Sequence, residues 1–130
     1  MMTEQEILAT LHSWGIRVTE APLPGTLRGH YCHTTRTITL RKGLTTPQRR
    51  ATLAHEYIHA LKAHDGPQDQ LTEAWVDEQA ALLIINPAEL ALAEALYGPN
   101  PCALARELDA TPGLVCAYMR AMERHPTRTK

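Results

Sequence analysis

Cysteine is scarce in this chain. Cys32, Cys102 and Cys116 are odd in number, far apart and without a CxxC pair, which excludes a disulfide framework and a cysteine-based metal site. They read as small buried hydrophobes. No stretch approaches the roughly 18 apolar residues of a membrane span, and the first eleven residues carry Glu4 and Glu6 in place of a basic leader followed by an apolar run. A cytoplasmic protein without membrane contact is expected. The chain has 130 residues, 44% hydrophobic and 21% charged. That suffices for one domain over 1–130 with one core and leaves no material for a second. Within it, 1–98 reads as the core unit and 99–130 as a helical C-terminal extension.

The chain does contain His55-Glu56-Tyr57-Ile58-His59, an HExxH motif. With 7 histidines in 130 residues, chance would supply only about 0.03 such occurrences. Histidines four apart lie about 40° from each other around a helix, so both imidazoles reach one metal from the same face. Glu56 stands beside that metal, where a carboxylate can take a proton from water the metal has acidified. The setting is helical. Thr46 suits an N-cap, Pro47 suits the first helical position, and no Gly or Pro interrupts the run to His64.

A catalytic zinc takes three protein ligands and keeps one position open. His64 is one candidate for the third. On a continuing helix it points about 140° from His59 and 180° from His55, which argues against it and makes it a solvated helix-end histidine. Glu73 is better placed. After the turn signal Asp65-Gly66-Pro67, the run from Leu71 to Ile85 reads as a second helix packed antiparallel on the first. Glu73, Asp77, Ala80, Ala81 and Ile84 share its inner side, and the alanines allow a close approach. Asp77 is positioned to accept the free ring N–H of a ligating histidine, and reads equally well as a solvated carboxylate.

These segments resemble the ImmA/IrrE family of zinc metallo-endopeptidases, associated with phage and mobile-element repressors and bacterial stress regulators. The resemblance runs through Gly29-His30-Tyr31, Thr37-Ile38-Thr39-Leu40, the stretch from Gln48 to Ala60 and that from Glu73 to Ala81. It implies one Zn2+ per chain held by His55, His59 and Glu73, Glu56 as general base, and a helix-turn-helix repressor as the protein substrate in a bacterial cell. The chain departs from the pattern at Asp77, where the family commonly has Asn, and at Ile84-Ile85-Asn86-Pro87.

The remaining organisation reads as α+β, a small zincin-like domain. Residues 3–14 form a helix ending at Gly15, Ile16 to Val18 a short strand, and Arg28–His33 with Arg36–Arg41 a hairpin turning at Thr34 and Thr35. This short antiparallel sheet packs on the HExxH helix. Thr37 to Arg41 is the candidate edge for an extended substrate, with Thr37, Ile38 and Thr39 as contacts; it is equally readable as an ordinary half-buried strand. A second metal site at His30, Cys32 and His33 is disfavoured, since residues 30 and 32 face opposite to 33 in a strand. His30, Tyr31, Tyr57 and His125 can each donate a hydrogen bond to an oxyanion. The sequence does not choose among them.

Asn86-Pro87, Asn100-Pro101 and Thr111-Pro112 each place an N-cap before a helix-starting proline. The last two helices, 103–108 and 113–123, resemble a helix-turn-helix in spacing. Residues 120–130 carry Arg120, Arg124, Arg128 and Lys130 against Glu123, a net of +3, leaving 9 basic and 13 acidic side chains elsewhere, a net of −4. Without interleaved aromatics the tail is a weak nucleic-acid footprint and reads better as a solvated tail. Three functions compete: a zinc endopeptidase that cleaves a repressor, a regulator that binds the repressor without cutting it, and a small DNA-binding protein.

Overall fold

The computed structural model describes residues 1–124. Among them no single helix is long and apolar enough to cross a membrane. The fold is α+β, with six helices and a three-stranded sheet. Helix α1, Glu4–Ser13, begins at a capping box in which Thr3 Oγ1 accepts the Glu6 N–H at 3.1 Å and Glu6 Oε1 accepts the Thr3 N–H at 3.0 Å. It buries Ile7 and Leu11 and stops at Gly15, whose positive φ reverses the chain.

Strands β1 (Arg17–Ala21), β2 (Gly29–Cys32) and β3 (Thr37–Arg41) follow. The expected hairpin is β2–β3, with His30 opposite Thr39 and Tyr31 opposite Ile38. Strand β1 is longer than the short strand expected and joins β3 in parallel, Val18 opposite Ile38, so the sheet is mixed in the order β1-β3-β2. This corrects one expectation. Thr37, Ile38 and Thr39 lie on the central strand, where neighbours on both sides take the backbone groups, and Ile38 is fully buried. They offer no edge; β1 and β2 do.

Helix α2, Thr46–Leu61, carries the HExxH motif. Its N-cap is Thr45, one residue earlier than expected, because Thr45 and Gln48 form a reciprocal capping box. The helix also ends earlier, at Leu61. Ala63 adopts a left-handed φ of 55°, Ala63 N–H donates to the Ala60 carbonyl and His64 N–H to the His59 carbonyl, a Schellman turn.

Helices α3 (Gln70–Ile84), α4 (Pro87–Tyr97), α5 (Pro101–Leu108) and α6 (Pro112–Arg124) complete the described chain. Asn86 and Asn100 each cap through Oδ1, and the Thr111 hydroxyl accepts the Leu114 N–H, as the proline-led pattern predicts. Helix α3 buries Val76, Ala80, Ala81 and Ile84 in a core that runs from Ile7 to Tyr118. Helix α6 packs on α3 with Leu114, Val115, Ala117, Tyr118 and Ala121 buried. Its Arg120 and Arg124 both pair with the buried Glu78 carboxylate. Two of the four basic residues of the C-terminal stretch are therefore committed to an internal partner; Arg128, Lys130 and His125 lie outside the described residues. The cysteines are free, but Cys102 is exposed and the other two half-buried, so the reading of all three as buried hydrophobes is corrected. Cys102 sits at the solvated start of α5.

Candidate metal centre

Helix periodicity brings His55 and His59 to the same face of α2, and α3 runs antiparallel beside them, so that Glu73 meets His59 and Asp77 meets His55 one turn away. Three donor atoms converge. His55 Nε2 lies 3.1 Å from His59 Nε2 and 3.0 Å from Glu73 Oε1, and His59 Nε2 lies 3.1 Å from the same oxygen. Bonds of about 2.0–2.1 Å to a tetrahedral zinc would set ligand atoms roughly 3.3 Å apart, close to this triangle. Among the described residues these three form the one group with ligand atoms so placed; His30, Cys32 and His33 do not converge.

The surroundings prepare the donors unequally. His55 Nδ1 lies 2.8 Å from Asp77 Oδ1, so Asp77 accepts its N–H, and in the neutral ring the lone pair is then on Nε2, facing inward. Burial opposes the His55 cation, yet the Asp77 hydrogen bond and the nearby carboxylates of Glu56, Asp77 and Glu73 outweigh it and raise its pKa. His59 is lowered, first by burial and then by the neighbouring His55. Gln68 N–H donates to Glu73 Oε2 at 3.2 Å, holding that carboxylate with Oε1 toward the histidines.

Glu56 is 6% exposed and borders a cleft. Burial pushes its pKa to about 7; His55 opposes the rise, while Glu73 and Asp77 add to it. Its neighbour Gly29 has a structural reason to lack a side chain. A Cβ there would lie 2.5 Å from Thr52 Cγ2 and 3.2 Å from Glu56 Cγ, so β2 approaches α2 only because residue 29 is glycine. Two cavities of about 320 and 350 Å³ meet at Leu27, Gly29, His55 and Glu56. One is closed by Thr111 and by Gly113 and Leu114 at the start of α6, the other by His30, Tyr31 and the α2–α3 loop. Together they form a cleft that crosses the donor triangle.

Residues 12–111 match the IrrE N-terminal-like domain of the Peptidase_M78 family. The chain belongs to this metallopeptidase family. In fold it is similar to a Mycobacterium tuberculosis transcriptional regulator, with a TM-score of 0.63 and 18% identity over 95% of this chain. The chain spans 43% of that protein's length. A search of curated proteins finds no match.

The remaining candidates separate clearly. His30 is exposed and lines the cleft, as does Tyr31, whose hydroxyl lies 2.8 Å from His33 Nδ1. Tyr57 lies elsewhere: its ring stacks on Trp14 in the core, centroids 5.4 Å apart, because two helical positions past His55 the side chain faces away from the donors. It is not an oxyanion donor. His64 departs from its reading as a solvated helix-end residue. The turn at Ala63 folds it back, and its Nδ1 lies 3.0 Å from His59 Nδ1. The continuing-helix geometry failed because α2 stops at Leu61. A left-handed alanine gives no sequence signal of the kind a glycine would.

Proposed function

We propose that the chain is a zinc-dependent endopeptidase that cuts a helix-turn-helix repressor and so releases its genes. The convergence of His55, His59 and Glu73 beside the buried Glu56 carboxylate carries this reading. A zinc ion held by His55 Nε2, His59 Nε2 and Glu73 Oε1 would supply a Lewis acid that brings the pKa of water toward 7. Glu56, buried beside the three donors, takes the proton of the attacking water and delivers it to the departing amine. Asp77 keeps His55 in the tautomer that presents Nε2. The peptide lies along β2, which has β3 on one side and the cleft on the other, so its backbone pairs with Gly29–Cys32. His30 stands at this edge and is the leading oxyanion donor.

Co-expression of a repressor encoded nearby with wild type or Glu56→Gln tests the reading. Shortening of the repressor that requires Glu56 supports it. Intact repressor in both strains, with the two proteins recovered as a complex and the genes released equally, would replace it with a binding antagonist. A DNA-binding role is disfavoured, because Arg120 and Arg124 pair with Glu78 and α6 spends its apolar face on α3.

A further inference from the structure

A ligating imidazole needs its other nitrogen held, and the two histidines of the triangle are held by different chemistry. His55 Nδ1 meets the Asp77 carboxylate. His59 is nearly buried, and its Nδ1 has the imidazole of His64 at 3.0 Å. For His59 Nε2 to present a lone pair in the neutral ring, its proton must sit on Nδ1 and be donated. His64 Nδ1 is the acceptor within reach, which leaves the His64 proton on Nε2.

The backbone explains why His64 is there. In the Schellman turn that ends α2, the residue after the left-handed position bonds back to the third residue from the helix end, and the two side chains touch. Those residues are His64 and His59, with ring centroids 5.2 Å apart in an edge-to-face arrangement. The loop then continues to Gln68, whose N–H holds Glu73 Oε2, and Asp65 Oδ1 accepts the His33 N–H at 3.2 Å, fastening the loop to the hairpin. One short loop thus grips two of the three donors.

We infer that His64 is a positioning residue for the metal centre, fixing the tautomer and ring orientation of His59 by accepting its Nδ1 proton within the turn that caps the HExxH helix. The inference rests on the zinc reading of the site, and metal binding separates the two. Zinc affinity is measured by competition with a chromophoric chelator, and coordination by the visible absorption of the Co2+-loaded protein. If wild type binds no zinc, the site reading itself fails. With wild-type binding in hand, His64→Ala should weaken zinc affinity by roughly 10- to 100-fold. His64→Asn, which restores an oxygen acceptor, should recover most of that loss. The Co2+ band shape should stay the same in all three proteins, since the donor set is unchanged. Affinity within twofold of wild type in both variants would overturn the inference. So would a Co2+ spectrum altered by loss of His64, which would make it a ligand.

Discussion

His55 Nδ1 and Asp77 Oδ1 lie 2.8 Å apart, which ties the motif helix to its neighbour through a carboxylate that touches no other donor of the triangle. Asp77 is half exposed on its other side. Its contribution is therefore to orientation and basicity rather than to burial. Asp77→Ala should weaken zinc binding by roughly 10- to 100-fold, and Asp77→Asn by less, because the amide oxygen still accepts the ring N–H. Chelator competition reads both; equal affinity in all three proteins would remove Asp77 from the site.

Glu56 gives the metal-free protein a pH dependence of known sign. Its pKa rises from 4.5 to about 7 on folding, so the folded chain holds the proton more tightly than the unfolded one. Its contribution is fully present below pH 4.5 and lost as pH rises through about 7. In the presence of chelator, wild type should lose stability relative to Glu56→Gln between pH 5 and pH 8, by up to about 3 kcal/mol. Urea denaturation of both proteins at the two pH values measures this. A difference that does not change with pH would contradict the buried carboxylate.

Gly29→Ala drives a methyl group into Thr52 Cγ2 at 2.5 Å. The cost should be about 1–3 kcal/mol, the usual range for overpacking. Because the obstacle is one methyl, Thr52→Ala in the same chain should restore most of the loss. Thermal melts of the two single variants and the double variant form the test, with simple additivity as the failing result.

Ala63 holds a left-handed φ of 55° at a position where helices commonly place glycine. Ala63→Gly should stabilise the protein by about 1 kcal/mol, since the strain of a Cβ in this region outweighs the added freedom of the unfolded chain. A lower melting temperature in the variant would show that the turn is not strained there.

Local signals in the sequence carried much of this architecture. The HExxH spacing, the Asp65-Gly66-Pro67 break and the three proline-led helices act within a few residues, and each appears where its pattern stands. Glu73 and Asp77 followed from helical periodicity once the second helix was recognised. What escaped depends on distant or unmarked features. The parallel pairing of Val18 with Ile38 crosses some twenty residues, and it turned the expected edge strand into the central one. The burial of Glu78 depends on α6, which brings Arg120 and Arg124 to it from more than forty residues away. His64 was misjudged because one alanine adopts a backbone conformation usually left to glycine. Tyr57 was legible and misread: its place two residues past His55 already turned it from the metal.

The strand that borders the cleft is only four residues long, Gly29–Cys32, or about 13 Å of backbone. Pairing of that kind reads main chain, and a helix or a sheet in the target has already spent its main-chain groups on itself. If the proposed cleavage runs along this strand, it demands a segment that is already slack or can be frayed at little cost, such as a linker between folded units. A well-folded bystander would be spared whatever its sequence, and the short reach of β2 becomes a filter on the foldedness of the target.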